Sequence, residues 1–171
     1  ERGTRAEGPV LAALVSRLAG LFRAASAGLA RHHLATAPVE LAIDLGLPVY
    51  FHTGTPVHST PFQMLELATR YPEGRFIVGH AAYSDYWNDL SAAVKAAVNL
   101  YVDTSLHLAS FALVLVEQLG ADRVIYGSDA PRTSMEVEIE KITRYVRDDE
   151  SRSLIFGGNL ARLLGRHATW L

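Results

Sequence analysis

Apolar positions along this chain switch repeatedly between a helical and a strand-like period, and the switches divide it into elements. After a charged, glycine-containing start, Leu14, Val15, Leu18, Leu21, Phe22 and Ala25 recur at helical spacing with Ser16, Gly20 and Arg23 opposite, which predicts an amphipathic helix. Residues 8–39 carry no acidic side chain, and Arg17, Arg23 and Arg31 are their full charges. That pattern faintly resembles a targeting or membrane-surface helix, but a helix packed on the domain is the simpler reading. Thr36 with Pro38 starts a short helix that closes at Gly46. The period then shortens, and residues 49–52, 75–80, 100–104 and 123–129 read as strands.

Helical patterns with clear punctuation separate these strands. Thr60 and Pro61 open a stripe of Met64, Leu65, Ala68 and Tyr71; Ser84 caps one carrying Trp87, Leu90, Val94 and Val98. Phe111–Leu119 is apolar almost all round and stops at Gly120. Thr133 or Ser134 opens a helix through Val137, Ile142 and Val146, and Asn159 opens a last one closed by Gly165. Strands recur at a spacing of roughly 24 to 28 residues and are too apolar to face water on one side. Parallel strands joined by right-handed helical crossovers follow, hence an α/β fold. Such strands end at one edge of the sheet, which gathers His52, His80, Thr104 with Ser105, and Asp129 on the face where α/β folds bind ligands.

Composition narrows the chemistry. With 171 residues, 49% hydrophobic and 20% charged, the chain is long enough for one sizeable core. A net charge of -2 gives no basic footprint for nucleic acid, and the apolar run of residues 10–21 is too short to span a membrane, so a small-molecule substrate and a cytoplasmic location are expected. Cysteine is absent, which excludes disulfides, thiolate metal sites and Cys nucleophiles; any metal is held by His, Asp or Glu. The chain begins with Glu rather than Met, as a processed or partial product would.

Two histidines at matching strand ends and a carboxylate at a third form a convergent set. Imidazole and carboxylate suit a divalent ion such as zinc, and a catalytic site keeps one coordination position for water, whose pKa falls to about 7. A carboxylate can take the proton from that water, and a histidine can polarise a carbonyl or protonate a leaving group. Thr104 and Ser105 read as helix caps, and Asp129, between Gly127-Ser128 and Ala130-Pro131, marks a sharp bend. Ser128 lacks the Gly-x-Ser-x-Gly elbow of a nucleophile. His58 and His107, in loops after the first and third strands, could line a substrate pocket but read more simply as solvated loop residues, and His167 as surface, while adjacent His32 and His33 diverge too far to share a metal.

Five stretches resemble the C-terminal half of the amidohydrolase-related proteins, within the metal-dependent amidohydrolase superfamily. They are Gly-Leu-Pro-Val-Tyr-Phe-His52-Thr-Gly, Tyr-Pro-Glu-Gly-Arg-Phe-Ile-Val-Gly-His80, Asn99-Leu-Tyr-Val-Asp-Thr-Ser105, Gly120-Ala-Asp-Arg-Val-Ile-Tyr-Gly-Ser-Asp129-Ala-Pro and Gly-Gly-Asn159-Leu-Ala-Arg-Leu-Leu-Gly165. The resemblance covers residues 38–165 and implies strands five to eight of a TIM-type (β/α)8 barrel. It implies that His52 is a metal ligand, that His80 is the polarising or acid group and in some members a metal ligand, and that Asp129 touches both metal and attacking water.

The family's first-strand His-x-His pair has no counterpart here, and a whole barrel needs about 250 residues. The expected architecture is therefore a partial barrel over residues 36–171 with a divergent helical segment over residues 1–35. Its open edges call for a cover, either the N-terminal helix or a second copy forming a homodimer that completes the half-barrel. Three functions follow from the resemblance: a metal-dependent hydrolase of small organic substrates, a metal-dependent nonoxidative decarboxylase, or a non-catalytic half-barrel remnant.

Overall fold

The computed structural model describes residues 36–54, 59–83 and 85–165. The expected N-terminal helix, His32, His33, His58, the Ser84 cap and His167 lie outside the described residues. The chain divides into two compact units between Leu41 and Ala42, and the packing below is that of the second, Ala42–Leu171. Its elements, with the helix that leads into them, are α1 (Thr36–Asp44), β1 (Val49–His52), α2 (Pro61–Arg70), β2 (Phe76–Gly79), a turn (His80–Tyr83), α3 (Trp87–Ala96), β3 (Leu100–Asp103), α4 (Phe111–Leu119), β4 (Val124–Ile125), α5 (Met135–Tyr145), α6 (Asp149–Ser153), a π turn (Leu154–Gly158) and α7 (Asn159–Leu164). No helix among the described residues is long and apolar enough to cross a membrane.

The four strands form one parallel sheet in sequence order, as their spacing predicts. Register explains which side chains go where. Val49, Phe51, Phe76, Val78, Leu100, Val102 and Val124 share one face and are all buried, with α2, α3 and α4 against the strands. The other face carries Tyr50, His52, Ile77, Gly79, Tyr101, Asp103 and Ile125. There Ile77 and Ile125 pack on Leu163 of α7, with Tyr101 and Leu160 beside them. β1 departs from the expectation of strands buried on both sides: Tyr50 is 39% exposed and His52 is also exposed, because among the described residues β1 is an edge strand and the α7 cluster packs on Ile77 and Ile125 instead.

Two boundaries move. β4 pairs over only two residues of the expected 123–129, because the Tyr126 N–H turns away to donate to the Ile155 carbonyl at 2.8 Å. Helical backbone begins at Asp149 rather than Asn159, with Asp148 accepting from the Ser151 N–H at 2.7 Å as its cap. Asn159 instead reaches back, its amide donating to the Ala121 and Val124 carbonyls at 2.7 Å each.

The residue just before each of the last three strands fastens the preceding unit. Asn99 donates to the carbonyls of Ala68, Tyr71 and Gly74 at 3.0–3.1 Å, where α2 ends. Arg123 donates to Val94, Ala97 and Leu100 around the end of α3. Arg75 donates to Leu163 at 2.6 Å and to Gly46, joining the start of β2 to the ends of α7 and α1. Helix ends leave carbonyls without intrahelical partners, and these side chains satisfy them. Replacing Asn99 by Ala takes the donor away from three carbonyls and is expected to cost about 2–3 kcal/mol. Urea unfolding checks this, and Asn99→Asp, which points a carboxylate at the same carbonyls, should be no more stable than the alanine variant.

Candidate functional site

Parallel register delivers the strand ends to one rim, and the rim is organised by a residue that sequence reading passed over. Asp103, the last residue of β3, is 4% exposed. Its Oδ1 accepts from the His80 N–H at 3.0 Å, the Ser105 N–H at 3.1 Å, the Ser105 hydroxyl and the Tyr50 hydroxyl at 3.3 Å. A buried carboxylate needs such donors to offset its lost hydration. Two close approaches permit the arrangement. Tyr50 crosses from β1 over Gly79, where a Cβ would stand 2.4 Å from the Tyr50 hydroxyl oxygen, and Gly127 lies so near that its Cβ would sit 1.6 Å from Asp103 Oδ2.

His80 follows β2 in an unusual backbone. His80, Ala81, Ala82 and Tyr83 have φ of 61°, 46°, 54° and 55°, four left-handed residues in succession with no glycine among them. Each L-residue there costs roughly 1–2 kcal/mol. The turn swings the His80 ring back to the rim, where Nδ1 meets Ser105 Oγ at 2.8 Å and Nε2 meets His52 Nδ1 at 3.0 Å. Tyr83 stacks on His80 with centroids 5.1 Å apart and stands 5.8 Å from His52. Burial lowers the His80 pKa, Asp103 opposing and His52 reinforcing that shift. Burial raises the Tyr50 pKa, with the Asp103 charge adding to it, so Tyr50 stays a donor.

The expected set is thus partly assembled. His52 and His80 touch. Asp129, also left-handed with φ 52°, is hydrogen-bonded to neither, although its charge is felt at both His80 and Tyr50. Its Oδ2 is buried without a hydrogen-bond partner, with Arg132 Nε 3.9 Å away. Ser105 is not a helix cap but the link between Asp103 and His80, while the Thr104 hydroxyl accepts from the Gly127 N–H at 3.3 Å. Ser128 Oγ accepts from the Ala130 N–H at 3.3 Å and is hydrogen-bonded to none of the described histidines.

His107 corrects another expectation: it is 5% exposed rather than solvated. The loop after β3 folds inward because Lys141, buried beside Glu138 on α5, donates to the carbonyls of His107 at 3.0 Å and Thr104 at 3.4 Å. A signal for Asp103 existed, a carboxylate closing an apolar strand where Asp is depleted. None existed for Lys141 and Glu138, which sit on an ordinary amphipathic helix. An open groove of about 490 Å3 runs along α5 past Glu136, Glu140 and Lys141, but none of the strand-end residues lines it.

Among the described residues no three His, Asp or Glu side chains converge to hold a metal ion. His52 and Asp129 have the right donor chemistry, and Asp129 Oδ2 is an orphaned acceptor, so they fit two positions of a divalent site. A catalytic zinc site uses three protein ligands, so any remaining ligand would have to come from outside these strands.

The amidohydrolase family model matches residues 15–166. Among solved structures, an uncharacterised TIM-barrel protein from Bordetella bronchiseptica matches at TM-score 0.67 and 16% identity, over 79% of this chain and 51% of its own. A dihydroxybenzoic acid decarboxylase from Polaromonas with bound manganese and 2-nitroresorcinol matches at 0.60 and 17%, over 79% and 55%. An amidohydrolase from Burkholderia multivorans with bound zinc matches at 0.58 and 14%, over 77% and 57%. No curated protein matches. The chain spans about half the length of these structures, and the likeness shows the fold, a partial TIM barrel.

His107 makes the stability of this unit pH-dependent. Burial, reinforced by Lys141, lowers its pKa from 6.5 to about 4, against weaker opposition from its backbone hydrogen bonds and Asp103. The unfolded chain therefore binds a proton that the folded chain refuses between those values. His107 contributes its full stability above pH 6.5, and the contribution falls away as pH drops toward 4. The loss is up to about 3 kcal/mol. Unfolding free energies at pH 7.5 and 4.5 should show a smaller difference in His107→Gln than in the wild type.

Proposed function

The chain belongs to the amidohydrolase family, and from that premise we propose that its strand-end rim is one half of an active site for metal-dependent hydrolysis of a small organic substrate. The observation that carries this reading is the paired imidazoles of His52 and His80 beside a buried Asp129 oxygen with no hydrogen-bond partner. His52 and Asp129 would hold the divalent ion, zinc in the first instance. When bound, such an ion supplies hydroxide at neutral pH by lowering the pKa of its water to about 7. Asp129 Oδ2, buried without a hydrogen-bond partner, would accept a proton. His80, kept neutral by burial and fixed by Ser105, orients the reacting group.

A second reading, nonoxidative decarboxylation of an aromatic acid, is favoured by one observation. Tyr50 and Tyr83 flank the imidazoles and offer flat walls to a substrate ring. Product analysis separates the two: carbon dioxide from hydroxybenzoates supports decarboxylation, and acid release from esters or lactones supports hydrolysis.

Metal binding tests the shared premise. Equilibrium dialysis against zinc and manganese should show uptake that falls about tenfold or more in a His52→Ala, Asp129→Ala double variant. Identical uptake by both proteins would remove these residues from the ligand set.

We further propose that a second copy of the chain supplies the missing side of the site, because among the described residues β1 has one edge without a paired strand, and Tyr50 and His52 are exposed. Sedimentation velocity should then show a species of twice the chain mass, and a monomer at every concentration would refute the dimer.

A further inference from the structure

We infer that Asp103 and Ser105 are positioning residues that dictate the tautomers of both strand-end histidines and leave the Nε2 lone pair of His52 bare. The argument is proton counting along one chain of contacts. Asp103 Oδ1 already accepts from the backbone N–H groups of His80 and Ser105, at 3.0 and 3.1 Å, and Ser105 Oγ lies against the same oxygen. Two oxygens in contact need a proton between them, and Oδ1 is acting as an acceptor, so the proton is that of the Ser105 hydroxyl. Ser105 Oγ then has only lone pairs to present to His80 Nδ1 at 2.8 Å. His80 Nδ1 must carry the hydrogen.

A neutral imidazole has one N–H, so His80 Nε2 is a lone pair. Its partner at 3.0 Å, His52 Nδ1, must therefore donate. His52 has then spent its single hydrogen on His80, and its Nε2 is left unprotonated. Reversing any one link places two protons, or none, at the next junction. Each ring keeps one hydrogen throughout; only the nitrogen that bears it is decided. Tyr50 agrees with this polarity, since its hydroxyl donates to Asp103 Oδ1 at 3.3 Å. The sense is the opposite of what water favours, where neutral histidine prefers the hydrogen on Nε2. A buried carboxylate on β3 thereby prepares a nitrogen on β1, two strands away, to accept a hydrogen bond or ligate an electrophile.

The relay stands on these hydrogen bonds alone; its bearing on metal binding rests on the proposed role of His52. Long-range 1H–15N correlation spectra of the 15N-histidine-labelled full chain, metal-free at pH 8 and assigned with His52→Gln and His80→Gln, test it. Both rings are expected in the Nδ1–H form. In Ser105→Ala, His80 should revert to Nε2–H and donate to His52, switching His52 to Nε2–H although it never touched the substituted residue. Ser105→Thr, which keeps the hydroxyl, should restore the wild-type pattern. Wild-type Nε2–H at either histidine overturns the inference even if the alanine variant fails to fold. So does a folded Ser105→Ala chain in which His52 keeps its Nδ1–H form. Adding zinc to the wild type separates the two ideas: expected tautomers with no perturbation of His52 Nε2 would refute the ligand role and leave the relay in place.

Discussion

The Asp103 carboxylate is the constraint on which the rim depends. A charge of this kind is stable in a protein interior only if donors replace the water it gave up. Its donors come from Tyr50 on β1, from the backbone of His80 after β2 and from Ser105 after β3, and Gly127 after β4 leaves room for it. One side chain therefore draws on the ends of all four strands. The sheet fixes where those ends lie; the carboxylate fixes how they face one another. Tyr50 and Ser105, which sequence patterning reads as an ordinary strand residue and a helix cap, acquire their roles from it.

Strain and compensation sit side by side at this rim. The left-handed run His80–Tyr83 is expensive by backbone sterics, yet Ala81 and Ala82 are almost wholly buried and the His80 N–H is held by Asp103. The turn delivers an imidazole to a point that a right-handed continuation of β2 would miss. Surrounding contacts over-determine the conformation, which is the usual condition for strain to persist at a functional site.

Much of the architecture was legible in the residues. Apolar runs located all four strands, Thr60-Pro61 and Gly120 located helix ends, and even spacing gave the parallel order. Those signals are local, and the parallel crossover rule is nearly obligatory. What escaped reading depended on side chains meeting across the fold. Whether Ser105 capped a helix or bridged to His80 could not be told from its neighbours in sequence. His107 looked solvated because the Lys141 contacts that pull its loop inward come from a helix more than thirty residues later. β4 looked longer than it is because the Tyr126 N–H finds its partner at Ile155 and not on β3. The rim was foreseeable as a place, and its wiring was not.

The side chains that precede the strands carry a consequence of a different kind. Asn99, Arg123 and Arg75 each tie the start of a strand to the end of an earlier helix, and Arg75 also reaches α7. These fastenings lie at the opposite edge of the sheet from the histidines. The lower edge thus works like the binding of a book, holding each strand–helix leaf to its neighbour, while the upper edge is free to carry different text. The chemistry written at the top can therefore be revised without rewriting what keeps the volume together.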